Sequence, residues 1–260
     1  MIFVDPGATL DDAFAYAKES VWGRTHKWLV LIGCLIIFPL ILGYMVRIFR
    51  GATPAPEPEQ WGIMFIDGLK LLIVEIIYAA PVILLIMLAF IPLLFTMFAS
   101  GPFATNYDSM TDTQFDQWLA SHPEFFTAIG IMIVLLLLAV LVGFLITIFS
   151  FLGTVRFARS GSIAEAFNFS AILSHIRRIG WFNYLLALIV IGVIGFIFGM
   201  ILNVFSLIPV IGDIVGLIIM IVLYVPFLVF SSRFAALVYD AGEEKGSTGT
   251  LQEGVYNYLT

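Results

Sequence analysis

Apolar positions are concentrated in four long stretches, Leu71 to Phe98, Phe125 to Leu152, Phe182 to Leu207 and Ile214 to Phe230, and Glu75 is the one ionisable side chain inside them. A helix rises ~1.5 Å per residue, so about 20 residues cross a hydrocarbon core ~30 Å thick. The pattern therefore predicts four long transmembrane helices. Pro81 and Pro92 mark expected kinks in the first of them. A fifth apolar run, Trp28 to Val46, is barely long enough for one crossing and is interrupted by Pro39 and Gly43. It reads either as one kinked span or as two half-helices that dip in and return at Phe38-Pro39-Leu40, and the second reading is preferred for the reasons below.

The polar positions between these runs predict the remaining elements. In residues 9–22, Thr9 stands three before Asp12, and Leu10, Phe14, Ala17 and Val21 recur on one helical face. That spacing predicts a capped amphipathic helix lying on the membrane surface. Arg47, Arg50 and Gly51 end the short run. The linker ATPAPEPEQ follows, in which Pro54, Pro56 and Pro58 preclude helix, and WGIMFIDGLK re-enters the interface. Residues 100–124 carry Asp108, Asp112, Asp116 and Glu124 with no lysine or arginine. Within them Phe115, Trp118 and Leu119 suggest a short interfacial helix, and Ser121, Pro123 and Glu124 a helix start. IPVIGD is a tight turn between the last two crossings, and residues 240–260 form a polar tail.

Composition fixes the solvent. The chain is 61% hydrophobic and 12% charged over 260 residues, against about 25% charged in soluble domains. A formal charge of −6, with no basic tail, points away from nucleic acid. The single cysteine, Cys34, allows no internal disulfide and reads as a small apolar helix residue. His26, His122 and His175 show no metal-ligand spacing, and no cofactor signature is present. The first residues lack the pattern of a signal peptide, so the first apolar run is expected to be retained.

Positively charged loops stay on the cytoplasmic side. The link 154–183 holds Arg156, Arg159, Arg177 and Arg178, while residues 100–124 and IPVIGD hold no cation. The link is therefore expected inside and the two hairpin tips outside. If the run 28–46 is re-entrant, all twelve cations fall inside and both termini are cytoplasmic. An internal repeat supports this. TLDDAFAY at 9–16 matches SIAEAFNF at 162–169, and TLQE at 250–253 repeats its first four positions; each reads as a capping-box start. GYMVRIFRG at 43–51 resembles GTVRFARSG at 153–161, a helix stopped by arginines and glycine. Matched starts and ends in one order define three units, 9–51, 57–159 and 162–239, each a surface helix, a hairpin and an arginine-marked return.

GYMVRIFRG, the proline-rich linker, WGIMFIDGLKLL with IYAAP, SGSIAEAFNFSAILSHIRRIGW and SRFAALVYD together resemble the multi-pass membrane proteins called domain of unknown function 4013, frequent in methanogenic archaea. The resemblance covers nearly the whole chain. It implies a membrane location and carries over neither an activity nor a catalytic residue.

Candidate chemistry is sparse. Glu75 lies five residues beyond Lys70, near the cytoplasmic interface, where it can reach water or pair with Arg47, Arg156 or Arg233; as an intramembrane acid it is also a candidate for an ion path. Gly192, Gly195, Gly199 and Asn203 share one face, with Gly195 and Gly199 spaced for close helix packing, either within the chain or at a homo-oligomer seam. The helix 162–178 has a polar stripe of Asn168, His175 and Arg178. Together with Arg156, Arg159 and Arg177 it offers contacts for anionic lipid or a protein partner, against the simpler role of fixing topology by snorkelling. The sequon at Asn168 falls on the predicted inner side. No hydrolase set, zinc helix, phosphate loop or dinucleotide pattern occurs. The reading is a non-enzymatic membrane component that organises lipid or a partner. Its rival is a transporter with Glu75, Asn203 and Arg233 along the path, which requires a polar cavity.

Overall fold

The computed structural model describes residues 6–99, 111–204 and 212–259. Among them ten helices follow one another: α1 (Pro6–Val21), α2 (Thr25–Ile36), α3 (Phe38–Phe49), α4 (Trp61–Ala99), α5 (Asp112–Ser121), α6 (Pro123–Ser160), α7 (Ile163–Ala166), α8 (Phe169–Ile179), α9 (Trp181–Val204) and α10 (Gly212–Leu259). Four of them, α4, α6, α9 and α10, are long and apolar enough to cross a bilayer. The protein is a polytopic α-helical membrane protein, as the apolar runs predict.

Several boundaries differ from the sequence reading. WGIMFIDGLK forms the first turns of α4, continuous with the apolar run after it, since nothing after Pro58 stops a helix. Pro123 opens α6, where its missing N–H is harmless. Ser121 instead closes α5, its hydroxyl donating to the Trp118 carbonyl at 2.9 Å. The backbone of α10 runs through Asp240 to Leu259, so the polar tail is helical over those residues, and TLQE lies inside that helix, not at a start. Isolated glycines weaken such a helix by about 1 kcal/mol each but do not terminate it. Asp108 and the IPVIGD turn up to Ile211 lie outside the described residues.

The run 28–46 forms α2 and α3, twelve residues each, or ~18 Å apiece. The break falls at Ile37, just ahead of the expected Phe38-Pro39-Leu40, and Pro39 sits in the first turn of α3. Both ends of this pair reach one linker. Lys27 Nζ donates to the Ala55 carbonyl at 3.0 Å, Arg24 pairs with Glu57 at 3.0 Å, and the Tyr44 hydroxyl donates to the Pro56 carbonyl at 3.0 Å. The chain thus doubles back, which excludes the single kinked span. Cys34 is buried in α2.

By internal contacts the chain divides into residues 1–75 with 148–260, and residues 76–147. The first unit holds an apolar cluster that includes Tyr16, Leu31, Ile41, Tyr44, Ile48, Val225 and Val229. Here α3 and α4 touch backbone to backbone. A Cβ added at Gly43 would collide with the Met64 carbonyl, and one at Gly68 with the Pro39 carbonyl. In the second unit the most deeply buried positions of α4 and α6 are small, Ala89, Ala128 and Ala139, with Tyr78 and Thr96 of α4 also buried.

Within the first unit α1 lies along α10 and runs opposite to it. Asp12 meets Arg233, and Trp28, just past the end of α1, meets Val222. The buried face is Ala13, Tyr16, Ala17, Ser20 and Val21, rotated from the expected Leu10, Phe14, Ala17, Val21 face, and Phe14 is 65% exposed. Polar contacts choose that face, because Tyr16 donates to the Ala52 carbonyl at 2.8 Å and small Ala13 and Ala17 permit close approach. Nor does Thr9 cap the helix, which begins at Pro6.

Candidate functional site

The most elaborate polar arrangement lies where α3 and α6 end beside the middle of α10. Arg50 Nε donates to the Ala158 carbonyl at 3.1 Å, and Arg159 Nε donates to the Phe49 carbonyl at 2.6 Å. Each arginine therefore satisfies a terminal carbonyl of the other's helix, the place where a cation also meets the negative end of the helix dipole. Each is anchored in turn by a carboxylate: Arg50 by Asp67 at 2.7 Å and Arg159 by Asp240 at 2.6 Å. Arg159 also lies over the Tyr239 ring, 5.8 Å from its centroid. The chain leaves both helix ends through a glycine in the left-handed region, Gly51 at φ 85° and Gly161 at φ 73°. At Gly51 a second constraint applies, since a Cβ would come within 3.0 Å of the Arg159 guanidinium.

Two further arginines hold the matched segments of the repeat. Asp12 and Glu165 occupy the same position of TLDDAFAY and SIAEAFNF. Asp12 accepts from Arg233 Nε at 2.8 Å, and Glu165 accepts from Arg156 Nε at 2.7 Å. The alanine after each acid, Ala13 or Ala166, is fully buried. The two arginines also share a context, Arg156-Phe157-Ala158 and Arg233-Phe234-Ala235. This third match was legible in the chain as a repeated Arg-Phe-Ala, and sequence reasoning missed it. Hydrogen bonding to Arg156 holds the Glu165 carboxyl below the usual carboxylate range. Arg233 also sits over the Tyr16 ring at 4.9 Å, while burial pushes the Tyr16 phenol up to about 12 and keeps it a neutral donor.

The expected helix 162–178 is broken. α7 ends at Ala166, and α8 starts after Asn168, whose side chain accepts from the Ala171 N–H at 3.2 Å. An asparagine that can cap the next turn competes with continued helix. His175 is buried on α8. Its ring stacks on Tyr239 at 4.0 Å, its Nε2 bonds the Tyr239 carbonyl at 2.8 Å, and Arg178 donates to its Nδ1 at 2.8 Å. An arginine only donates, so Nδ1 accepts and Nε2 carries the proton. Burial is the main force holding the His175 pKa below the usual histidine value; the Tyr239 bond opposes it and Arg178 adds to it. Gly242 leaves the room that this ring needs.

The sequence candidates thus separate. Arg156, Arg159, Arg178, Arg233 and His175 are all engaged inside the chain. Arg177 is exposed and makes none of the six ion pairs found among the described residues. Glu75 makes none of its three expected pairs: Arg47 donates to the Glu57 and Glu59 carbonyls, and Arg156 and Arg233 have other acids. Asn203 donates to Gly199 of its own helix at 2.9 Å. Within the chain the glycine face is not a tight seam. Gly192 and Gly199 have nothing within 4 Å of an added Cβ, and Gly195 meets only the Phe227 ring at 3.7 Å. Glu75, Asn203 and Arg233 line neither of the two described cavities.

One carbonyl explains a contact that the sequence reading did not anticipate. Pro226 lies inside α10 and has no N–H to offer Val222 four residues earlier. The Trp28 indole N–H fills that role at 3.1 Å.

A family model described as Protein of unknown function (DUF4013) matches residues 28–207, more than half of the chain. No curated protein and no solved structure matches it.

Proposed function

Because the chain belongs to the DUF4013 family, whose function is unknown, we propose its role from its own residues: a non-enzymatic component of the cytoplasmic face of a cell membrane that organises anionic lipid, or a partner, on the exposed side of α8. The observation that carries this reading is the division of labour on α8. Ile172, His175, Ile176 and Ile179 are buried, and His175 fastens the helix to Tyr239. Phe169, Ser174 and Arg177 are left facing outward, an apolar side chain and a free cation on a helix fixed in place. Juxtamembrane cations attract anionic lipid by about 1 kcal/mol each.

The orientation follows from the cations. With α2 and α3 doubling back, Lys18, Arg24 and Lys27 fall on the side of Arg47 and Arg50, and the basic side is the cytoplasmic one. Both termini then lie inside. Transport would ask for a polar cavity, and the groove beside α1 is apolar.

In the test, full-length protein in mild detergent is titrated with phosphatidylglycerol, and bound lipid is counted by native mass spectrometry. Arg177→Ala should weaken retention about fivefold, and unchanged retention would remove the main support. Sidedness has its own test. A Thr9→Cys variant should resist an impermeant maleimide added to intact cells, and labelling from outside would overturn the cytoplasmic N-terminus.

A further inference from the structure

A groove of about 430 Å³ opens between α1, α2, α9 and α10, within the range of small-molecule sites. Its walls include Ala17 of α1, Trp22 just past the end of that helix, Trp28 of α2, Phe198 of α9, and Leu223 and Phe227 of α10. The rings of Phe198 and Phe227 stack face to face at 4.3 Å and form a flat apolar wall. Lys18 is the charged residue in its lining.

We infer that this groove is a binding site for one anionic phospholipid, with an acyl chain against Phe198 and Phe227 and the phosphate at Lys18. Three observations name the occupant. Two walls, α9 and α10, are membrane-spanning helices, so lipid is the medium these walls face. The α1 wall ends in Trp22, which is 76% exposed, and tryptophan marks the headgroup level of a bilayer. Lys18 is exposed and makes none of the ion pairs among the described residues, so its charge is available to a phosphate. The neighbouring acid, Glu19, acts on Tyr16 and Lys27 and is not part of the lining. The groove is also held open by the fold. The Trp28 indole is pinned to the Val222 carbonyl, and α1 is fastened by Asp12 to Arg233, so the walls cannot simply close on each other. This site is separate from α8 and does not rest on the role proposed for that helix.

The site is tested with the full chain in detergent micelles, titrated with phosphatidylglycerol or phosphatidylcholine brominated on the acyl chain. Bromine quenches nearby tryptophan, and Trp22 and Trp28 line the groove. Phosphatidylglycerol should quench at about fivefold lower concentration than phosphatidylcholine, the preference one cation near the headgroup confers. Lys18→Glu, at an exposed position that the fold tolerates, should remove that preference. Ile194→Phe, which fills the groove from α9 without adding a tryptophan, should abolish saturable quenching by either lipid. Equal quenching by the two lipids in the unaltered chain, or a preference that survives Lys18→Glu, overturns the proposal. If Ile194→Phe does not fold, the Lys18→Glu arm still decides. Lys18→Glu should leave the phosphatidylglycerol lost through Arg177→Ala unaffected, so failure here is distinguishable from failure at α8.

Discussion

Residues 76–147 contain no lysine or arginine, and their most deeply buried helix positions are alanines. Residues 1–75 and 148–260 contain all six ion pairs found among the described residues and the crossed arginines at the ends of α3 and α6. The two units are held together by different physics. In lipid there is no hydrophobic drive between apolar helices, so close packing of small side chains must supply the attraction. Such packing tolerates sliding along the seam. Directional bonds from a planar guanidinium to a carbonyl and a carboxylate do not. The charged unit is therefore the one in which geometry is specified, and it contains both proposed binding sites.

The sharpest way to break this contrast is at Arg159. Arg159→Ala removes the cap on Phe49 and leaves Asp240 half-buried without its partner, which should cost about 3 kcal/mol, read as a lower midpoint of thermal unfolding in detergent. The double variant with Arg50→Ala should cost less than the sum of the single ones, because each arginine serves the other's helix. Ala139→Leu probes the other unit. Extra volume in a seam of alanines should cost about 2 kcal/mol, whereas an arginine-to-lysine change elsewhere should leave that unit unmoved. Gly51→Ala should cost about 1–2 kcal/mol, since an L residue at φ 85° is strained and its Cβ crowds Arg159.

The smallest effect is a pH dependence. The folded chain holds His175 neutral below its usual titration range, so the unfolded chain binds the proton more readily. Stability should be level above about pH 6.5 and fall as the pH drops below it, towards the lower folded value. His175→Gln, which keeps one donor and one acceptor, should flatten that slope in unfolding measured between neutral and mildly acid buffer. A slope that persists would place the titrating group elsewhere.

The number of crossings was legible because hydropathy alone decides which helices can sit in lipid. The doubling back of residues 28–46 agrees with the path preferred from charge, the one expected to put all the cations on one side. What stayed hidden depends on rotation and on partners far away in sequence. The face of α1 turns on Asp12 finding Arg233, and a periodicity count cannot see that. Gly195 and Gly199 carry the familiar spacing but meet only the Phe227 ring and open space, while Gly43 and Gly68, which share no such spacing, make the tight crossing. Asn168 looked like one member of a polar stripe, yet its side chain reached the Ala171 N–H and broke the helix. Of the arginines, sequence could not say that Arg156, Arg159 and Arg233 were committed to the interior.

The bond between Asp12 and Arg233 spans 221 positions of the chain. Synthesis adds roughly 5–20 residues per second, so α1 leaves the ribosome some 10 to 45 s before the helix it packs on. During that interval its Ala13, Tyr16 and Ala17 face has no α10 to cover it, and the groove beside it has no far wall. The first helix therefore cannot complete its packing until most of the chain has been made.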